Sequence, residues 1–214
     1  GKLKNKNLKI ISKIPNISEN IKNINAHLYK LILKTQKNLN TKIVYAILIH
    51  NPENLLDKRG KKIYNTLLNF KKIGLINKIG VSIYKFDQIT ILMNKYNFDI
   101  IQLPFNLIDR RLLNKNLLKK LKKNKIEVHT RSIFLKGLLL KDKLPNKFKK
   151  WQNIWSKIRV LKKNEKINNL ALCLQFIKRY SKIDKIVVGV DSLKQIKEIL
   201  KELKSKRKLT LPNI

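Results

Sequence analysis

The stretch "KIVYAILIHNPENLL", residues 42–56, is apolar from Ile43 to Ile49 on both alternating positions. It then breaks at His50 into a polar turn bearing Pro52. Apolar residues on both parities mark a strand buried on both faces, which is the habit of parallel sheets covered by helices. Five further runs rich in β-branched residues have the same character: "LKIISKI" (8–14), "KIGVS" (78–82), "FDIIQLP" (98–104), "KIEVHTRS" (125–132) and "KIVVGV" (185–190).

Between these runs lie stretches with helical spacing. Ile21, Ile24, Leu28, Leu31 and Ile32 share one face of the first. The others are "GKKIYNTLLNFKKIG", "DQITILMNKY", "RRLLNKNLLKKLKKN", "NNLALCLQFIKRY" and "SLKQIKEILKEL". Sixfold alternation of strand and helix predicts parallel strands joined by helical crossovers. No glycine-rich phosphate fingerprint follows any strand, which weighs against an open dinucleotide-binding sheet. Six units suit either an open doubly wound sheet or most of a parallel (β/α)8 TIM-type barrel, about six βα units of it, in one domain over residues 1–214. Polar residues close the strands at Lys13, His50, Ser82, Gln102, Ser132 and Asp191. In such a barrel those ends converge on one face.

A formal charge of +37 invites a nucleic-acid reading. The 50 basic residues are 43 Lys and 7 Arg, spread along the chain as in "LKKLKKNK" and "LKELKSKRK". Arginine, which forks onto phosphate and guanine edges, is not enriched, and the Lys, Asn and Ile excess matches AT-rich codon usage. The lysines read as solvated faces, with no specific nucleic-acid partner. No apolar run approaches the roughly 18 residues a membrane helix needs. A lone Cys173 excludes an intrachain disulfide and fits a cytoplasmic protein, with the thiol as a small core residue. His27, His50 and His129 have no metal-ligand spacing. Residues 140–166, with Pro145, Trp151 and Trp155, break the rhythm and read as a long loop, either a lid or an insertion packed on the outer wall.

Read together and in order, "KIISKIP", "YAILIHNPENLL", "KIGVSIY", "FDIIQLPFNLIDRRLL", "VHTRSIFLKGLLL" and "IVVGVDSLKQIKEIL" resemble the later motifs of the aldo-keto reductases. The resemblance implies a β/α-barrel oxidoreductase that reduces a small-molecule carbonyl, an aldehyde, ketone or keto-sugar, with NADPH or NADH. It maps the family's strand-end lysine and histidine onto Lys13 and His50 as catalytic residues. Lys13 is expected to be partly buried. The family's tyrosine and aspartate belong to units before the first strand seen here, so the chain reads as truncated and is expected to be inactive alone.

The same resemblance assigns coenzyme contacts. Ser82 and Gln102 match residues that hold the nicotinamide amide, with Ile83 where Asn is usual. Arg131 stands where an aromatic ring normally stacks, with Ser132 after it. Leu135 and Gly137 fall in the loop approaching the pyrophosphate. Gly189, Asp191, Ser192 and Gln195 fall in the segment holding the adenosine phosphate, where Gln195 replaces a common Arg and Ile199 an adenine-contacting Asn. Ser192 also suits a helix N-cap. Two other classes stay open from sequence: a non-catalytic nucleotide-binding relative and a basic nucleic-acid-binding protein.

Overall fold

Two β-branched strands near the start set the pattern for the rest. In the computed structural model, which describes residues 8–205, β1 (Ile11–Ile14) pairs in parallel with β2 (Val44–Ile49), Lys13 opposite Leu48 and Ile14 opposite Ile49. Helix α1 (Ile24–Leu39) links them, beginning where the Asn23 side chain accepts a hydrogen bond from the Ala26 amide. Its Ile24, Leu28 and Ile32 are buried. A short helix α2 (Glu53–Leu56) and the longer α3 (Gly60–Lys72) then lead to β3 (Ile76–Ser82). Helix α4 (Asp87–Lys95) leads to β4 (Ile100–Pro104). Next come α5 (Leu117–Lys123), β5 (Glu127–Arg131), α6 (Gln152–Glu165), α7 (Asn169–Lys178), β6 (Lys185–Ile186) and α8 (Leu193–Lys204).

The strands follow chain order in one six-stranded sheet, and the pairs β1–β2, β2–β3, β3–β4 and β5–β6 are parallel. This is the connectivity of a (β/α)8 barrel over six of its units. The described residues divide into two compact units. One runs to Leu103 and includes Asn124–Glu127; the other comprises Pro104–Lys123 and Val128 onward.

In the first unit Lys13, Leu48, Gly80 and Ile100 form one row across the four strands. Leu48 and Ile100 are fully buried there with Ala46. Gly80 lets them meet: a Cβ at that position would lie 2.6 Å from the Ile100 carbonyl oxygen and press on Leu48. At the N-terminal ends of the strands, Lys78 pairs with Glu127, and the Tyr45 hydroxyl donates to the same carboxylate at 3.4 Å.

In the second unit, α7 buries every residue from Ala171 to Ile177. Phe105, Phe176 and Tyr180 cluster with ring centroids 5.0–5.4 Å apart. Cys173 sits in this core, where burial pushes its thiol up to about 12, an inert side chain as the sequence suggested.

Two expectations are corrected. Residues 140–166 are not a structureless loop, since α6 fills Gln152–Glu165 and buries Trp155, Ile158 and Leu161 along one face. The Trp155 indole donates to the Asp142 carbonyl at 3.3 Å, which anchors the helix to the segment before it. The sixth strand is shorter than 185–190: its ladder pairs Lys185 with His129 and Ile186 with Thr130, and Val187 donates one further bond to the Thr130 carbonyl. The next carbonyl on β5, that of Arg131, accepts instead from the Phe105 amide.

Candidate functional site

The first unit brings four of the sequence-selected residues together at strand ends. Ser82 lies directly opposite Gln102 in the β3–β4 register, and Ile49 lies opposite Val81, so His50 is level with Ser82. Side chains alternate along a strand, so Lys13, two residues below this level, shares their face. His50 and Lys13 are exposed, whereas Ser82 and Gln102 are 0% and 3% exposed. The expected partial burial of Lys13 is therefore corrected; among the described residues β1 has β2 as its single strand partner.

The burial of Ser82 and Gln102 leaves an unmet demand. The Ser82 hydroxyl and the Gln102 side-chain carbonyl oxygen are both buried without a hydrogen-bond partner. A buried polar atom left unpaired costs on the order of 1–3 kcal/mol. A primary carboxamide fits both, because its NH2 can donate to Gln102 while its oxygen accepts from Ser82. These are the two residues matched to the nicotinamide amide.

The loops beyond these strand ends are stitched to one another. The buried Asn54 side chain accepts from the Ile17 amide at 2.9 Å and donates to the Ile17 carbonyl at 3.2 Å. Arg59 donates to the Ser18 carbonyl at 2.7 Å and forms an ion pair with Asp57. Desolvation pushes the Asp57 carboxyl up, but the Arg59 side chain and the Arg59 and Gly60 amides outweigh it, leaving Asp57 below its ordinary value. Farther along, Gln88 donates to Glu53 at 2.7 Å, which fixes the segment carrying Tyr84. The Tyr84 hydroxyl lies 3.3 Å from His50 Nε2. The sequence reading missed Tyr84 and Asn54. Their signal was only a polar aromatic just past a strand and an amide in a turn, and neither states its partner.

The second unit holds a cleft of about 770 Å³. Ser132, Gly137, Gly189, Asp191 and Gln195 line it, together with Ile199. Arg131, Leu135 and Ser192 are not among its lining residues, although each adjoins one in sequence. The Arg131 guanidinium donates to the Ser132 hydroxyl at 3.2 Å. The loop after β5 is held in the left-handed backbone region at Ser132, Leu135, Lys136 and Gly137 (φ 58°, 47°, 53° and 80°). Three of the four are not glycine, and such conformations cost energy that tends to be kept at functional loops. Ser192 caps α8 by accepting from the Gln195 amide at 3.3 Å, and the Gln195 side-chain oxygen accepts from the Asp191 amide at 2.8 Å. Among the described residues no cluster of ligating side chains suits a metal ion, and no helix is long and apolar enough to cross a membrane.

The fold is shared with solved aldo-keto reductases. An aldo-keto reductase from Bacillus halodurans in its apo form superposes with a TM-score of 0.75 at 16% identity, covering 95% of this chain and 68% of that one. A thermostable aldo-keto reductase in complex with the inhibitor epalrestat gives 0.70 at 22% identity, covering 94% of this chain and 68% of that one. A glycerol dehydrogenase from Gluconobacter oxydans gives 0.67 at 18%, covering 91% of this chain and 65% of that one. At these identities the likeness establishes the fold. No curated protein matches the sequence. The profile of the aldo/keto reductase family, however, matches residues 1–210, and the chain belongs to that family.

Proposed function

We propose that the protein is an oxidoreductase that reduces a carbonyl compound with a nicotinamide coenzyme, NADPH or NADH. One observation carries the reading: Ser82 Oγ and Gln102 Oε1, opposite each other in register, are buried without partners. The nicotinamide carboxamide supplies the donor and acceptor that these two atoms lack. The coenzyme, when bound, provides the hydride for the carbonyl carbon. The side chains do the rest. His50 donates a hydrogen bond to the carbonyl oxygen, where negative charge grows as the bond is reduced. Lys13, on the same face, adds positive charge. The family resemblance assigns the position of Arg131, with Ser132 after it, to the nicotinamide ring, Leu135 and Gly137 to the diphosphate, and Gly189, Asp191, Ser192 and Gln195 to the adenosine phosphate.

The test is a split in binding, read by fluorescence titration of reduced coenzyme against the 214-residue chain. Gln102→Ala is expected to raise the coenzyme Kd about tenfold, equivalent to about 1.4 kcal/mol. His50→Ala is expected to leave it within about twofold, because that residue serves the carbonyl. Unchanged affinity in Gln102→Ala would sink the assignment.

A further inference from the structure

Three tyrosine hydroxyls of the first unit are spent on structure. Tyr64 donates to the Asn97 carbonyl at 2.6 Å, Tyr96 to the Leu55 carbonyl at 2.9 Å, and Tyr45 to the Glu127 carboxylate. The Tyr84 hydroxyl instead meets a ring nitrogen, Nε2 of His50, at 3.3 Å. Tyr84 is 51% exposed, so its ring gains little from packing and its hydroxyl stands within reach of a ligand. Its place is nevertheless fixed from both sides. Ile83, fully buried, donates its amide to the Gln102 carbonyl at 2.7 Å. Beyond Tyr84, the buried Gln88 donates to Glu53 at 2.7 Å, and Lys85 reaches the same carboxylate at 3.4 Å. Glu53 opens α2 just after His50, so the segments carrying the two rings are joined.

A hydroxyl can accept one hydrogen bond and donate another, and a carbonyl oxygen can accept two. Atoms 3.3 Å apart both come within about 2.8 Å of a single oxygen placed beside them. The Nε2–Oη contact is long for a finished hydrogen bond, as catalytic contacts often are before a ligand arrives. His50 is level with Ser82 in the ladder, so this pair stands at the same strand ends as the proposed carboxamide cradle.

We propose that Tyr84 is a second donor to the substrate's carbonyl oxygen, so that phenol and imidazole hold that oxygen between them. The role falls to a residue just past β3 and is additional to that of the tyrosine which the family resemblance places before β1. It rests on the carbonyl reading above. Two donors aimed at one oxygen stabilise growing negative charge more than one does. The probe is acetophenone, isotopically labelled at its carbonyl carbon, bound to the 214-residue chain with oxidised coenzyme present so that no hydride is transferred. Infrared difference spectra read the bound carbonyl stretch, which rises when a donor is lost. Tyr84→Phe keeps the ring and removes only the hydroxyl. It is expected to raise the stretch and to weaken ketone binding about fivefold, the usual loss for one neutral hydrogen bond. His50→Ala is expected to raise the stretch as well, and the double variant to raise it furthest. Tyr64→Phe, which removes the hydroxyl serving Asn97, leaves it in place. A stretch unmoved by Tyr84→Phe, or moved equally by Tyr64→Phe, overturns this inference and leaves the carbonyl reading standing. A stretch unmoved by His50→Ala overturns the carbonyl reading, and failure of the ketone to bind overturns both.

Discussion

The strand-end row of the first unit and the cleft of the second are built by different means. His50, Ser82 and Gln102 rise from a ladder whose next row down on the same face is Lys13, Leu48, Gly80 and Ile100, the last three buried. The positions of their backbones follow from sheet register, and the loops beyond them are tied by Asn54, Arg59 and Glu53. The cleft instead depends on a left-handed loop, a two-residue strand and a helix, α8, with Ile199 as its buried residue. Leu193, Ile196 and Leu200 on that helix are 66%, 38% and 50% exposed. Placement by a packed ladder resists change, whereas placement by caps and turns rests on a few hydrogen bonds. The ladder carries the side chains matched to the carbonyl and the nicotinamide amide; the caps and turns carry those matched to the far end of the coenzyme.

The largest expected difference between the two regions is in packing. Leu48→Ala removes a fully buried side chain beneath the row and is expected to cost about 3 kcal/mol of stability. Leu193→Ala on α8 is expected to change stability by no more than about 0.5 kcal/mol. Urea denaturation of both variants measures the contrast, and equal losses would erase it.

Next in size is the loop tie. Asn54→Ala leaves the Ile17 amide without its side-chain acceptor and is expected to cost about 2 kcal/mol. Hydrogen exchange at the Ile17 amide should accelerate along with the drop in denaturation midpoint. If that amide stays as protected as before, the segment after Lys13 is held by something other than Asn54.

The smallest effect belongs to the cap. Ser192→Ala removes the acceptor for the Gln195 amide and is expected to cost about 1 kcal/mol. Exchange should quicken in the first turn of α8 and stay unchanged at His50 and Ser82. Loss of protection in both places would mean that the two regions yield together.

Much of this was legible in the letters because it is written in local periodicity. Ile43–Ile49, apolar on both parities, announces a strand covered on both faces, and β2 is buried accordingly. The spacing of Ile24, Leu28 and Ile32 announces the buried stripe of α1. The polar ends of the strands could be named for the same reason. Val187–Val190 have strand-like residues too, yet they do not extend β6, because a ladder requires a partner as well as propensity. Helix α6 was hidden by Pro145 and two tryptophans, although Trp155, Ile158 and Leu161 already stood at helical spacing.

The sequence by itself determined the order of six βα units and the polar side chains that close the first five strands, since both are properties of neighbouring residues; Asp191, read as closing the sixth, lies beyond the end of β6 at Ile186. Tertiary structure decided what those side chains meet. It buried the Ser82 hydroxyl and the Gln102 side-chain oxygen without partners, left Lys13 and His50 exposed, and brought the Tyr84 hydroxyl to His50. It also turned Glu198, one of few acids in a lysine-rich chain, onto the wall of a cleft. These are encounters between residues distant in the chain, or between a helix face and the space beside it. Their energies depend on burial and direction, which local spacing does not encode.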